Sequence, residues 1–111
     1  MIPNFRSQFK NDLSNNFEKL SRSYTKDLYI PDIEREAIMY AMDICLEFKD
    51  KAGFISQEII IEITDQVCDV ISDFFDVYTE DHRLIAKVSV VQNMALPNPK
   101  EVVENYHRRY Y

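Results

Sequence analysis

A chain of 111 residues with a single glycine has few ways to turn tightly, and that scarcity limits its fold more than any other feature. Antiparallel sheets rely on glycine-bearing turns between short strands. Ordinary chains contain about 7% glycine, so Gly53 standing alone favours long helices joined by short links. Hydrophobic residues make up 46% of the chain, with seven Phe and seven Tyr, an adequate supply for a core. A chain of this length buries roughly two-thirds of its unfolded surface, and one domain over 1–111 is expected.

Apolar periodicity supplies the helices. Phe5, Phe9, Leu13, Phe17, Leu20 and Tyr24 step by four and three, which predicts a first helix near 5–24 behind an Asn4 cap. Asn15 and Asn16 are weak helix formers, so that helix depends on docking. Pro31 and Asp32 open a second helix, with acids in its first turn, Lys49 and Lys51 in its last, and Gly53 as a left-handed stop. Ala37, Ala41 and Cys45 form a small-side-chain seam along it, where another helix can approach closely. Ser56 caps a third helix whose stripe is Ile60, Ile63, Val67, Val70, Ile71, Phe74 and Tyr78, with Ile55 stapled to Ile60. From Thr79 to about Ala95 the pattern fits a fourth helix with Leu84, Val88 and Val91 inward, or a strand over 84–91. Asn98-Pro99-Lys100-Glu101 is a start signal for a last helix docked by Val102, Val103 and Tyr106. The expected fold is all-α: a compact single-domain bundle of four to five helices with a central antiparallel hairpin (31–52, 56–78).

Charge is the second informative feature. The chain carries a net −6, but residues 52–82 hold eight acids and no Lys or Arg. Residues 1–30 are net +2 and residues 83–111 net +3. Glu62, Asp65, Asp69, Asp73 and Asp76 recur at the spacing of one helix face, which the pattern places opposite the apolar stripe. Six like-charge neighbours at three or four residues cost about 1–3 kcal/mol before screening. A row that breaks a local rule points to function, unless Arg6, Lys10, Arg22 and Lys26, or Arg83, Lys87, Arg108 and Arg109, neutralise it. If the row faces solvent, reversing Asp69 and Asp73 to Lys should leave or raise stability.

These features favour a small, acidic, non-enzymatic binding protein. Its anionic face would dock on a basic partner such as a nuclease or another nucleic-acid-binding protein, as an inhibitor. Nuclease immunity proteins, antitoxins and nucleic-acid mimics are comparable in charge and size, but no motif ties this chain to them. Direct nucleic-acid binding is disfavoured by the acidic middle. Tyr106, Arg108, Arg109 and Tyr110 form a basic aromatic end suited to a secondary interface. A structural subunit, self-associating as a homodimer through its acidic middle and basic ends, is a further alternative.

An enzymatic alternative rests on Glu47-x-x-Asp50 and Glu62-x-x-Asp65. All-α nucleotide pyrophosphohydrolases use similar acid pairs on neighbouring helices to hold Mg²⁺. The first pair is usually Glu-x-x-Glu there, whereas Asp50 sits between Lys49 and Lys51. Glu104-x-x-His107 has the spacing of half a di-iron site, without the second half. No catalytic residue, cofactor or resident metal is expected. Cys45 and Cys68 lie in apolar contexts, which favours buried reduced thiols and a cytoplasmic setting. Neither a signal peptide nor a membrane span is legible.

Overall fold

The computed structural model describes residues 30–74 and 79–110. They form four helices: α1 (Ile30–Ala52), α2 (Gln57–Phe74), α3 (Glu80–Met94) and α4 (Pro99–Tyr110). The expected helix at 5–24 and the end of the expected third helix at 75–78 lie outside the described residues. Lys49 and Lys51 complement the dipole at the end of α1. Gly53 then adopts φ 88°, and a Cβ built there would meet nothing within 4 Å. The glycine is therefore required for its backbone angle alone. Three residues on, the Ser56 hydroxyl accepts the Ile59 N–H at 3.2 Å and starts α2.

The segment left open between helix and strand is helical. Thr79 stands before it in extended backbone, without a side-chain cap bond, and Glu80 and Asp81 occupy its first turn. Helix α4 begins as its sequence signal requires, with the Glu101 N–H donating to the Asn98 carbonyl at 3.1 Å.

Polar contacts fix the directions of the helices. Glu34 meets His82, which sets the start of α1 beside the start of α3. Asp50 meets Lys100 at 3.1 Å, which sets the end of α1 beside the start of α4. The buried Tyr106 hydroxyl donates to the Glu36 carboxylate, so α4 runs back along α1. The result is an up-down-up-down bundle in which α1 touches all three other helices.

Ala37, Ala41 and Cys45 are fully buried along α1, as the small-residue seam requires. Around them pack Ile33 and Met42 of α1, Ile63, Val67 and Ile71 of α2, and Val90 of α3. Each buried aliphatic side chain of this size contributes about 1.5–3 kcal/mol relative to exposure. Val103 and Tyr106 dock α4 with Val102 partly buried beside them. Thr64, fully buried on α2, satisfies its hydroxyl by donating to the Ile60 carbonyl at 2.8 Å. Both cysteines are buried and neither is in a disulfide. Among the described residues, no helix is long and apolar enough to cross a membrane.

Helix α3 corrects the sequence reading. Leu84 and Val88, expected inward, are 60% and 47% exposed, and Val91 is only partly buried. Ala86, Val90 and Met94 face the core instead. Both sets have helical spacing. The choice falls to the smaller one because Ala86 and Val90 allow α3 to come close, and because that rotation directs His82, Arg83 and Lys87 toward acids on α1 and α2.

Two outcomes test this packing. Ala41→Leu should cost about 1–3 kcal/mol in urea unfolding, because the seam has no room for a larger side chain. Burial pushes the Cys45 thiol from 9.0 up to about 12. The native state then keeps its proton while the unfolded chain loses one, so this contribution is complete below pH 9.0 and is lost as pH rises toward 12. Across that interval, Cys45→Ala should show a shallower decline of unfolding free energy than the natural chain.

Candidate functional site

Two acids of α2, Asp65 and Asp69, do not simply face solvent opposite its apolar stripe; they line the seam with α3. Asp65 and Asp69 stand one turn apart on α2, as Arg83 and Lys87 do on α3. The Arg83 guanidinium donates through Nη2 to Asp69 Oδ1 at 2.7 Å and reaches Asp65 Oδ1 at 3.4 Å. Lys87 Nζ meets the same Asp65 oxygen at 2.6 Å. The Arg83 side chain is only 16% exposed, whereas those of Asp65 and Asp69 remain 37% and 44% exposed. The clamp thus holds its bases inward and its carboxylates at the surface.

Burial works against the charge on Arg83. The hydrogen bond and charge of Asp69 act the other way, joined by Cys68 and Asp65, and the guanidinium pKa is raised on balance. Arg83 is therefore a fixed cation whose neighbours select its charged form. Its Nε is buried with no hydrogen-bond partner among the described residues, which limits the net stability the clamp supplies.

Glu58, Glu62 and Asp73 are exposed on the same helix. Asp76 lies outside the described residues. Helix α2 holds five acids and no base, and α3 holds two acids and two bases, so the pair of helices remains net −5. The row of like charges survives, with counter-ions inserted beside its middle members.

The other candidate residues are distributed differently. Tyr106 is buried against Glu36 and serves the core. Arg108 is exposed and lines an open cleft of about 570 Å³ between the end of α1 and α4. Lys49 and Lys100 line it too, but Asp50, Glu101 and Glu104 balance them, so the cleft has no dominant sign. The side chains of Arg109, Tyr110 and His107 are outside the described residues.

Three of the four acids considered for Mg²⁺, all but Glu62, meet bases. Glu47 pairs with Lys51 at 2.9 Å, Asp50 with Lys100 at 3.1 Å, and Asp65 with Lys87. Among the described residues no three His, Cys, Asp or Glu side chains are grouped to hold a metal ion.

Sequence reasoning named Arg83 and Lys87 among eight bases able to neutralise the row, without choosing them. A signal was present: Asp69–Arg83 and Asp65–Lys87 are both centred on residue 76, the register of an antiparallel hairpin. Glu62 has no base at its matching position, Val90. The contact between His82 and Glu34 had no sequence signal, because it joins helices separated by a whole intervening helix.

Stability should follow this division. Asp69→Lys sets a cation against Arg83 and should destabilise by roughly 1–3 kcal/mol in denaturant unfolding. This reverses the expectation for Asp69 drawn from a solvent-facing row. Glu62→Lys, at an exposed position flanked by Glu58 and Asp65, should stay within about 0.5 kcal/mol of the natural chain.

No known protein family, curated protein or solved structure matches this chain, so its functional reading rests on its own residues.

Proposed function

We propose that the chain is a small non-enzymatic binding protein whose α2–α3 face docks on a basic surface of another protein. One observation supports this above the rest: the face keeps a net −5 after its internal ion pairs are counted. A charge that served only solubility would need no row of acids along a single helix, since mixed Glu/Lys faces solubilise without repulsion. Exposed Glu58, Glu62 and Asp73 supply the attraction, while Asp65 and Asp69 are held ready at half exposure. Side chains ordered in advance lose less conformational freedom on binding. A nuclease or other nucleic-acid-binding protein fits as partner, because its cationic groove is built for closely spaced anions.

The pairings favour this reading over a magnesium-dependent hydrolase, whose carboxylates would have to leave Lys51, Lys87 and Lys100 to converge on an ion. Inhibition of the partner follows where the occupied groove is also its active surface.

The test is affinity capture from the source cells at low and high salt, comparing the natural chain with Glu62→Lys/Asp73→Lys. The expected partner is basic, elutes as salt rises, and is lost with the double variant while circular dichroism melts show an intact fold. Capture that survives both the reversal and high salt would exclude the acidic face as the docking surface.

A further inference from the structure

We propose that the exposed apolar row of α3 and the acids of α2 beside it form one composite surface, whose occupant is an amphipathic basic helix of the partner protein. This rests on the docking reading above and specifies the partner's shape and chemistry. Three consecutive residues orient α3. His82 meets Glu34 of α1, Arg83 meets Asp69 of α2, and Leu84 is exposed. Each step turns about 100° around the helix, so Leu84 lies about 100° from the residue that meets α2 and about 160° from the one that meets α1. The same step leads from Lys87, which meets Asp65, to the exposed Val88. The apolar row therefore borders α2. By the register of the two ion pairs, Glu62 stands level with Val90 and Glu58 with Met94, and both acids are exposed. The surface is apolar along α3 and anionic along α2.

Single exposed apolar residues are ordinary on a protein surface, but these are continuous. Leu84 and Val88 are one turn apart, and the partly buried Val91 and exposed Ala95 carry the row on at three and four residues. That spacing accepts the side chains of a second helix. Charge decides which helix. A second copy of this chain, stacked α3 on α3, would bring together two faces of net −5, and an anionic lipid surface would be repelled in the same way. A helix with an apolar stripe and Lys or Arg along its flank answers both halves of the surface. Its stripe covers Leu84 and Val88 while its flank reaches Glu58 and Glu62, where charge steers the encounter and fixes register. Nucleic-acid-binding proteins commonly present a basic helix, so the partner class is unchanged. The 15 residues of α3 extend about 22 Å, a seat for about four turns.

The probe is a fluorescent synthetic peptide of about 15 residues with Leu at helix-seam spacing and Lys elsewhere, compared with one of equal charge carrying Ser for each Leu. In fluorescence anisotropy the natural chain should bind the Leu/Lys peptide about tenfold or more tightly than the Ser/Lys peptide. Leu84→Ser/Val88→Ser should remove that advantage, leave binding of the Ser/Lys peptide unchanged and keep the circular dichroism spectrum, since both positions are exposed. Glu62→Lys should weaken both peptides. Equal affinity for the two peptides, or a Leu advantage that survives Leu84→Ser/Val88→Ser, would overturn the composite surface while the docking reading stands on the Glu62→Lys result. Binding of both peptides unchanged by Glu62→Lys would overturn the two together. Sedimentation showing that the natural chain dimerises and Leu84→Ser/Val88→Ser does not would also overturn the proposal, by assigning the row to a second copy. Should the double variant lose helicity, Val88→Ser alone is read by the same criteria.

Discussion

Helix α3 carries two apolar stripes and can turn only one of them toward α1 and α2. On hydrophobic area alone the larger stripe, with Leu84 and Val88, has the advantage over Ala86 and Val90, by about 1–3 kcal/mol. The helix buries the smaller one. Two effects oppose the area term. Small residues let α3 approach its neighbours α1 and α2 closely, and dense packing recovers many weak dispersion contacts. The same rotation also brings Arg83 and Lys87 to Asp69 and Asp65, and His82 to Glu34. Turning the helix to bury Leu84 would break all three contacts and restore the full repulsion along α2.

The position of α1 follows a similar logic. Its apolar surface is broad enough to accept neighbours on several sides, which specifies burial but not arrangement. Polar residues supply the arrangement: Glu34 selects the start of α3, Glu36 the late part of α4, and Asp50 the start of α4. Polar pairs of this kind add little net stability, because desolvation offsets most of the attraction where they are buried and solvent screens it where, as for Asp50 and Lys100, they are exposed. Their larger effect is on alternatives. A bundle with α4 reversed would separate Glu36 from Tyr106, and a buried hydrogen bond left unmade costs about 1–3 kcal/mol.

The helix ends were legible because each rests on local chemistry. Gly53 must take a positive φ, the Ser56 hydroxyl meets an amide three residues on, and Asn98-Pro99 opens α4, all within one turn. The buried residues of α1 and α2 were legible as well, since α1 is apolar around most of its surface and one apolar stripe dominates α2. Helix α3 was not, because periodicity identifies stripes but does not say which neighbour each one meets. The pairing of Asp65 and Asp69 was missed for a related reason. Spacing showed that Asp65 and Asp69 share a face, and only the crossing of α3 shows that this face is a seam.

That seam changes what the acidic row can do for a partner. At a distance beyond the Debye length, about 8 Å at physiological salt, an approaching protein senses net charge, and the net −5 of α2 and α3 is unaltered by internal pairing. At contact the row is no longer uniform. A partner cation reaching Asp69 must compete with Arg83, whose buried guanidinium is held in its charged form by that same carboxylate. At Asp65 it competes with Lys87 as well. Glu58 and Glu62 stand at one end of the row and Asp73 toward the other, all at the surface. On the proposed reading, long-range attraction would belong to the whole face, while close discrimination would fall to the exposed Glu58 and Glu62. A basic partner with cations at matching separation gains both, and one that presents a single central charge gains only the first.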